Sequence, residues 1–310
     1  MSFSSDVKKE LSRVQVNMKV CEIEKAEAYG LLLFCRKFSE KEIYFRTESK
    51  SAAERFSHTV AAQTGSVVEI SEKLTARHNN SAVFKVSVPS ELDCERIFSY
   101  FGHDASQLSL RINLANIEYE ACSIAFLRGA FLTCGTVSSP ETEYRLEFNT
   151  SYKNLSEDLC RVIRETTELA GGRAASPKIF SRRGSFAVYL KGSEDIADFL
   201  TMIGADKASM TVMQVKIEKD RENIRNRKNN SYIANTDKSY SASAIQIKAI
   251  QKLENDGVMS TLSEELQEAA DLRKNNPMAS LKELVLISQK PISKSGLNHR
   301  LKKLEEIAFK

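Results

Sequence analysis

AEAYGLLLF (residues 26–34) and IAFLRGAFL (residues 124–132) are two apolar helical segments, each built round a glycine, and the sequence that follows each has the same plan. After the first come a strand-like EIYFRTES, a helix over 52–64 closed by Gly65, strands at 67–70 and 82–88, and a helix ending at Phe101 and Gly102. After the second come YRLEFNTS, a helix over 155–170 closed by Gly171 and Gly172, strands at 178–180 and 185–190, and a helix ending at Ile203 and Gly204. Gly30 and Gly129 are 99 residues apart, Gly102 and Gly204 are 102 apart, and a spacing this constant points to duplication. Short strands alternating with glycine-capped helices define an α+β class. Residues 1–214 are therefore expected to form one domain of two repeats, about 22–104 and 122–206.

The texture then changes. KIEKDRENIRNRKNNSYIANTDKSYSAS is polar and charged, with few large apolar residues, and reads as a linker over 215–241. Beyond it the helical period returns, so 242–310 is expected to be an all-α domain. Ile245, Ala249 and Leu253 recur at one-turn spacing before Gly257, a C-cap, and Leu262, Leu266, Ala269 and Ala270 continue the pattern. That second helix should stop before Asn276 and Pro277, because the residue preceding a proline avoids the helical region.

The closing segment, SLKELVLISQKPISKSGLNHRLKKLEEIA from Ser280, predicts a helix-turn-helix over about 278–308. Ser280 caps a short helix carrying Leu281, Leu284 and Val285 on one face; Pro291 interrupts, and Ser293 caps the next helix. There Leu297, Leu301, Leu304 and Ala308 form one apolar stripe. Ser295, His299 and Lys302 point away from it, with Asn298 and Lys303 beside them. A recognition helix needs such a face of donors for a major groove. Ser293, Lys294, Ser295, Asn298, His299, Arg300, Lys302 and Lys303 are thus the candidate contacts to double-stranded DNA, with Arg300 nearer the apolar stripe. The bland account of the same helix is a solvated basic face.

Charge supports the first account. From Val215 onward there are 18 Lys or Arg against 13 Asp or Glu, whereas the first 214 residues hold 27 against 28. Between Glu283 and Glu305 there is no acid, while Lys290, Lys294, Arg300, Lys302 and Lys303 supply five positive charges, a footprint suited to phosphates. An apolar fraction of 42% and a charged fraction of 28% are those of an ordinary folded chain. The densest apolar run, from Leu31 to Cys35, is too short to span a bilayer, and MSFSSDVKKELSRV lacks the apolar stretch of an export signal. A cytoplasmic, nucleoid-associated protein without membrane contact is expected. The six cysteines contain no C-x-x-C pair and the four histidines do not cluster, so neither a structural metal nor a cofactor is expected.

PISKSGLNHRLKKLEEIA, the stretch NRKNNSYIANTDKS and the repeat motif AFLRGAFLTCGTVSSP, in that separation, resemble the WhiA family of bacterial regulators across nearly the whole chain. The resemblance implies a LAGLIDADG homing-endonuclease-like domain followed by a helix-turn-helix, and a non-catalytic transcriptional regulator tied to cell division and chromosome segregation, with sporulation in filamentous relatives. A division-linked protein-interaction scaffold with weak DNA binding is the alternative. Other regulatory or division proteins are candidate partners, and the oligomeric state is left open.

In active nucleases of this kind an acid at the eighth motif position holds the divalent metal that activates water. Laid through Gly30 and Gly129, the motif places Cys35 and Cys134 at those positions and Leu33 and Leu132 at the sixth. A thiol is a poor ligand for a hard cation, so these are degenerate metal-ligand positions and no enzyme is expected. Glu118 and Glu120, just before the second motif, read as solvated. The retained role of the motif helices is packing, with Gly30, Gly129 and Ala130 permitting close approach. The sheet surface can still bind DNA, with Arg182 and Arg183 in a hairpin turn as a secondary contact, although near-neutral charge favours a platform for protein partners.

Overall fold

The computed structural model describes residues 2–15, 21–75, 81–107, 109–171, 173–182 and 184–310. Two compact units divide between Lys219 and Asp220.

In the first unit, α1 (Phe3–Leu11) precedes the first repeat: α2 (Cys21–Leu33), β1 (Lys37–Phe38), β2 (Ile43–Thr47), α3 (Lys50–Thr64), β3 (Glu69–Thr75), β4 (Ser81–Val88) and α4 (Glu91–Tyr100). The second repeat has the same order: α5 (Glu120–Cys134), β5 (Gly135–Val137), β6 (Leu146–Thr150), α6 (Lys153–Leu169), β7 (Lys178–Arg182), β8 (Ser185–Leu190) and α7 (Ser193–Ile203). Each repeat makes a four-stranded antiparallel sheet, with strand orders β1-β2-β4-β3 and β5-β6-β8-β7. The α+β class and the duplication are as the sequence predicts. Burial alternates along the strands: in β2, Ile43, Phe45 and Thr47 are covered while Tyr44 and Arg46 turn outward.

Between the sheets' helical layers, α2 packs against α5 at backbone contact distance. A Cβ on Gly30 would lie 2.1 Å from the Phe126 carbonyl oxygen, and one on Gly129 would lie 2.3 Å from the Glu27 carbonyl oxygen. No other residue fits either position. From Ala26 to Leu33 in α2 and from Ala125 to Leu132 in α5 every residue is buried, and all but Glu27, Arg128 and the two glycines are apolar.

One ionic group lies inside this interface. The Glu27 carboxylate, with no exposure, accepts from Arg55 (Nε 2.7 Å, Nη2 2.9 Å) in α3 and from Arg128 Nη1 (3.2 Å) in α5. Arg128 Nε also donates to the Ile203 carbonyl, 2.8 Å away, closing the end of α7. Burial pulls the Arg128 guanidinium below its ordinary value, and Glu27 opposes that. A second polar chain ties α2 to the segment joining the repeats: Tyr29 Oη accepts from the Asn113 amide (2.8 Å) and meets His103 Nε2 (3.0 Å).

The helix α8 (Asp206–Asn255) contains the whole of 215–241, and the division between the units falls within it. The stretch expected as a linker is thus helical, and from 220 to 242 none of its residues is buried. The remainder of the second unit is α9 (Glu264–Asn275), α10 (Leu281–Ile287) and α11 (Lys294–Phe309). Its core joins Ala249, Ile250 and Leu253 to Leu266, Leu284, Leu297, Leu301 and Leu304. Ile245, placed on the apolar face by spacing, is instead 49% exposed, and Ser243 and Gln246 are buried in its stead. The Ser243 hydroxyl accounts for this turn of the helix by donating to the Pro277 carbonyl at 2.5 Å.

Candidate nucleic-acid interface

Two caps fix the joint between α10 and α11. Ser280 Oγ accepts from the Glu283 amide (3.3 Å) and the Glu283 carboxylate accepts from the Ser280 amide (2.7 Å), a reciprocal box that satisfies two amides otherwise left open at a helix start. Ser293 Oγ accepts from the Gly296 amide (3.1 Å), starting α11 two residues after Pro291. Pro291, by lacking an amide proton, keeps the two helices from merging. Leu297, Leu301, Leu304 and Ala308 are all buried, and this stripe seats α11 on α9 and α10.

Anchored in this way, α11 turns Lys294, Ser295, His299, Lys302 and Lys303 outward, with Asn298 half-buried at the edge of the same face. Ser293 is exposed, but its hydroxyl is spent on the cap. Two of the five charges counted in sequence are neutralised across the fold. Lys290 pairs with Glu264 (3.5 Å) and Glu268, and Arg300 Nη2 meets Glu265 Oε2 at 3.0 Å. All three acids lie on α9, more than twenty residues back. The positive face is therefore narrower than the sequence count, resting on Lys294, Lys302 and Lys303. A further arginine that pattern reading passed over, Arg273, is 2% exposed and donates to the Ala279 carbonyl (2.6 Å), so it holds the turn between α9 and α10 rather than facing solvent.

In the first unit, Cys35 and Cys134 stand at the ends of α2 and α5 and line one cavity of about 260 Å³. Arg36, Arg46, Asn149 and Ser151 contribute to its wall, and no carboxylate does among the described residues. Burial pushes both thiols up to about 12, with Lys8 opposing the rise at Cys134. Neutral thiols beside guanidinium groups do not fit a magnesium-like cation, which requires oxygen ligands and negative charge. Glu118 and Glu120 are exposed, and neither lines this cavity.

The rise has a consequence for reactivity: at pH 8 the folded protein holds less thiolate at these two positions than an unfolded chain. Alkylation by iodoacetamide, followed by mass spectrometry, should modify Cys35 and Cys134 more slowly in native protein than in urea. Because the folded values are raised, the associated stability is fully present below pH 9 and is lost as the pH climbs towards 12.

Arg182 closes β7, paired with Ser185, and Arg183 lies outside the described residues. Among the described residues no helix is long and apolar enough to cross a membrane.

Fold and site together define a class: a duplicated LAGLIDADG-like α+β domain joined to a helix-turn-helix. The profile described as WhiA LAGLIDADG-like domain matches residues 123–222, and that described as WhiA C-terminal HTH domain matches residues 225–308. A Heliobacterium modesticaldum protein named probable cell division protein WhiA is 34% identical over 99% of this chain and 96% of its own length. One of the same name from Bacillus cytotoxicus is 34% identical over 100% of this chain and 97% of its own. The crystal structure of full-length DUF199/WhiA from Thermatoga maritima shares the fold, with a TM-score of 0.58 and 22% identity over 99% of this chain and 98% of that one. The chain belongs to the WhiA family.

Proposed function

We propose that the protein is a non-catalytic transcriptional regulator that binds double-stranded DNA through α11 and acts in cell division and chromosome segregation, in the cytoplasm on the nucleoid. The observation that carries this reading is the outward face of α11, which presents Lys294, Ser295, His299, Lys302 and Lys303 with Asn298 at its edge, on a helix seated by a buried stripe. The relatives' name, probable cell division protein WhiA, supports the process. The carboxylate-free cavity at Cys35 and Cys134 supports a protein that does not cut the DNA it holds.

A secondary DNA surface fits the outward face of the first sheet. Lys37, Arg46, Lys73 and Lys85 share it, by their register with Tyr44 and Val83, and the Arg46 and Lys85 cations lie over the Tyr44 ring. Arg182, at the end of β7, is the corresponding proposal on the second sheet. The scaffold reading has its own observation, the exposed Met278, Leu286 and Ile287 of the second unit, which suit a protein partner.

Roles within α11 are separable. Lys302→Ala should weaken binding to cognate and scrambled duplexes alike and lower the salt slope by about one contact. Asn298→Ala should cost on the order of 1–3 kcal/mol on the cognate duplex and little on the scrambled one. Fluorescence anisotropy across a salt series reads both effects. Unchanged binding in both folded variants would leave α11 as a solvated basic face, and a salt-independent affinity would favour the scaffold.

A further inference from the structure

The first unit holds a second cavity, remote in character from the one at the motif ends. It has a volume of about 720 Å³ and lies between α1 and the start of α3. A drug-sized or nucleotide-sized ligand occupies this range of volumes. Lys9 and Arg13 come from the α1 side, and Lys50, Arg55 and His58 from the α3 side. Against them stand two acids, Glu48 and Glu54, and Glu54 is within 3.8 Å of the Lys50 amine.

The basic groups differ in what they are committed to. Arg55 is turned inward on Glu27 through both Nε and Nη2. Lys9 and Arg13 are exposed, and no ion pair is found for either among the described residues. They sit four residues apart on α1 and just beyond it, on one wall of the cavity, and the acids of the opposite wall, Glu48 and Glu54, are not in ion-pair contact with either. Ser12 and Ser51 also line the two walls, although the Ser12 hydroxyl donates to the Lys8 carbonyl (2.7 Å) and that of Ser51 meets the Ser49 hydroxyl (3.2 Å), and the amino end of α3 lies on the same side. Two cations without ion pairs on one wall, Lys50 within 3.8 Å of a single exposed acid on the other, and room for a small molecule are the elements that phosphate recognition uses.

We infer that this cavity binds a small phosphorylated anion of nucleotide size, held by Lys9 and Arg13 on one wall and Lys50 on the other. Such a ligand would lie against Arg55, whose other partner, Glu27, is the ion at the centre of the α2–α5 interface. Occupancy of the cavity is thereby in contact with the packing of the two repeats.

The test is calorimetric titration of the full chain, without DNA or divalent metal, using sodium tripolyphosphate, adenosine triphosphate and adenosine as probes. The expected result is saturable binding of both phosphate-bearing probes and none of adenosine. Equal affinity for the two places recognition on the phosphates alone, and tighter binding of the nucleotide adds a contact to its base or sugar; either outcome supports the site. Lys9→Gln with Arg13→Gln should weaken binding by about tenfold or more, and Lys50→Gln alone should weaken it from the opposite wall should the pair fail to fold. Lys302→Ala with Lys303→Ala, on the other unit, should leave it unchanged. Absence of saturable binding, or binding that survives the α1 substitutions and disappears with those in α11, would overturn the inference.

Discussion

Gly129→Ala should leave most of the chain unfolded, or at best destabilised by on the order of 4 kcal/mol or more. The added methyl would stand 2.3 Å from the Glu27 carbonyl oxygen and 2.8 Å from the Leu31 amide nitrogen, both backbone atoms of the facing helix, so no side chain can swing away to make room. Relief requires α2 and α5 to separate along their length, which opens gaps around Leu31, Leu32, Phe126 and Phe131, all fully buried. The total stability of a domain is about 5–15 kcal/mol, so a loss of this size removes much of it. Chemical denaturation followed by circular dichroism measures the difference. Gly171→Ala is the control, since a Cβ there meets nothing within 4 Å, and only the cost of its positive φ should appear. Equal stability of the Gly129 variant and the wild type would mean that the helices are not held this close in solution.

The second large effect concerns charge. Glu27→Gln keeps the shape of the side chain and removes the one anion between Arg55 and Arg128. With the Arg128 side chain 9% exposed and the Arg55 side chain 17% exposed, two guanidinium groups would then face each other across a poorly hydrated space. Breaking a buried pair in this way typically costs about 3–5 kcal/mol, while replacing the whole group by apolar residues can be neutral. Glu27→Gln alone should therefore be more damaging than Glu27→Gln combined with Arg128→Met, and urea unfolding of the four members of that cycle gives the coupling directly. Additive losses would show that the triad contributes packing only.

These two features also mark where sequence reading works and where it stops. Gly30 and Gly129 stand out because each is a glycine inside an apolar helical run, and the 99-residue interval between them exposes the duplication. The caps at Ser280 and Ser293 are local, satisfied within three residues, and so they too are legible. The Glu27 triad joins residues 28 and 101 positions apart, and nothing in the neighbourhood of either arginine announces the partner. The same holds for the charges of the candidate interface. Lys290 and Arg300 count as free cations in the sequence, and only the placement of α9 reveals Glu264, Glu265 and Glu268 opposite them. The stretch over 215–241 reads as a connection because it lacks the apolar periodicity by which helices are ordinarily recognised, and its helical form is not legible there.

That last feature changes how α8 is maintained. A helix packed on a core resists fraying because each turn that opens exposes apolar surface. Between 220 and 242 no residue is buried, so opening a turn there exposes nothing new. Runs such as Asn229, Asn230 and Ser231 also have weak intrinsic preference for the helical state. Persistence in this stretch rests on nearest-neighbour cooperativity, nucleated by the buried turns at Val212 and Val215 on one side and at Ala249 and Leu253 on the other. The centre of α8 is thus governed by helix–coil cooperativity spreading from its two buried ends, and its own side chains contribute no core burial to hold it.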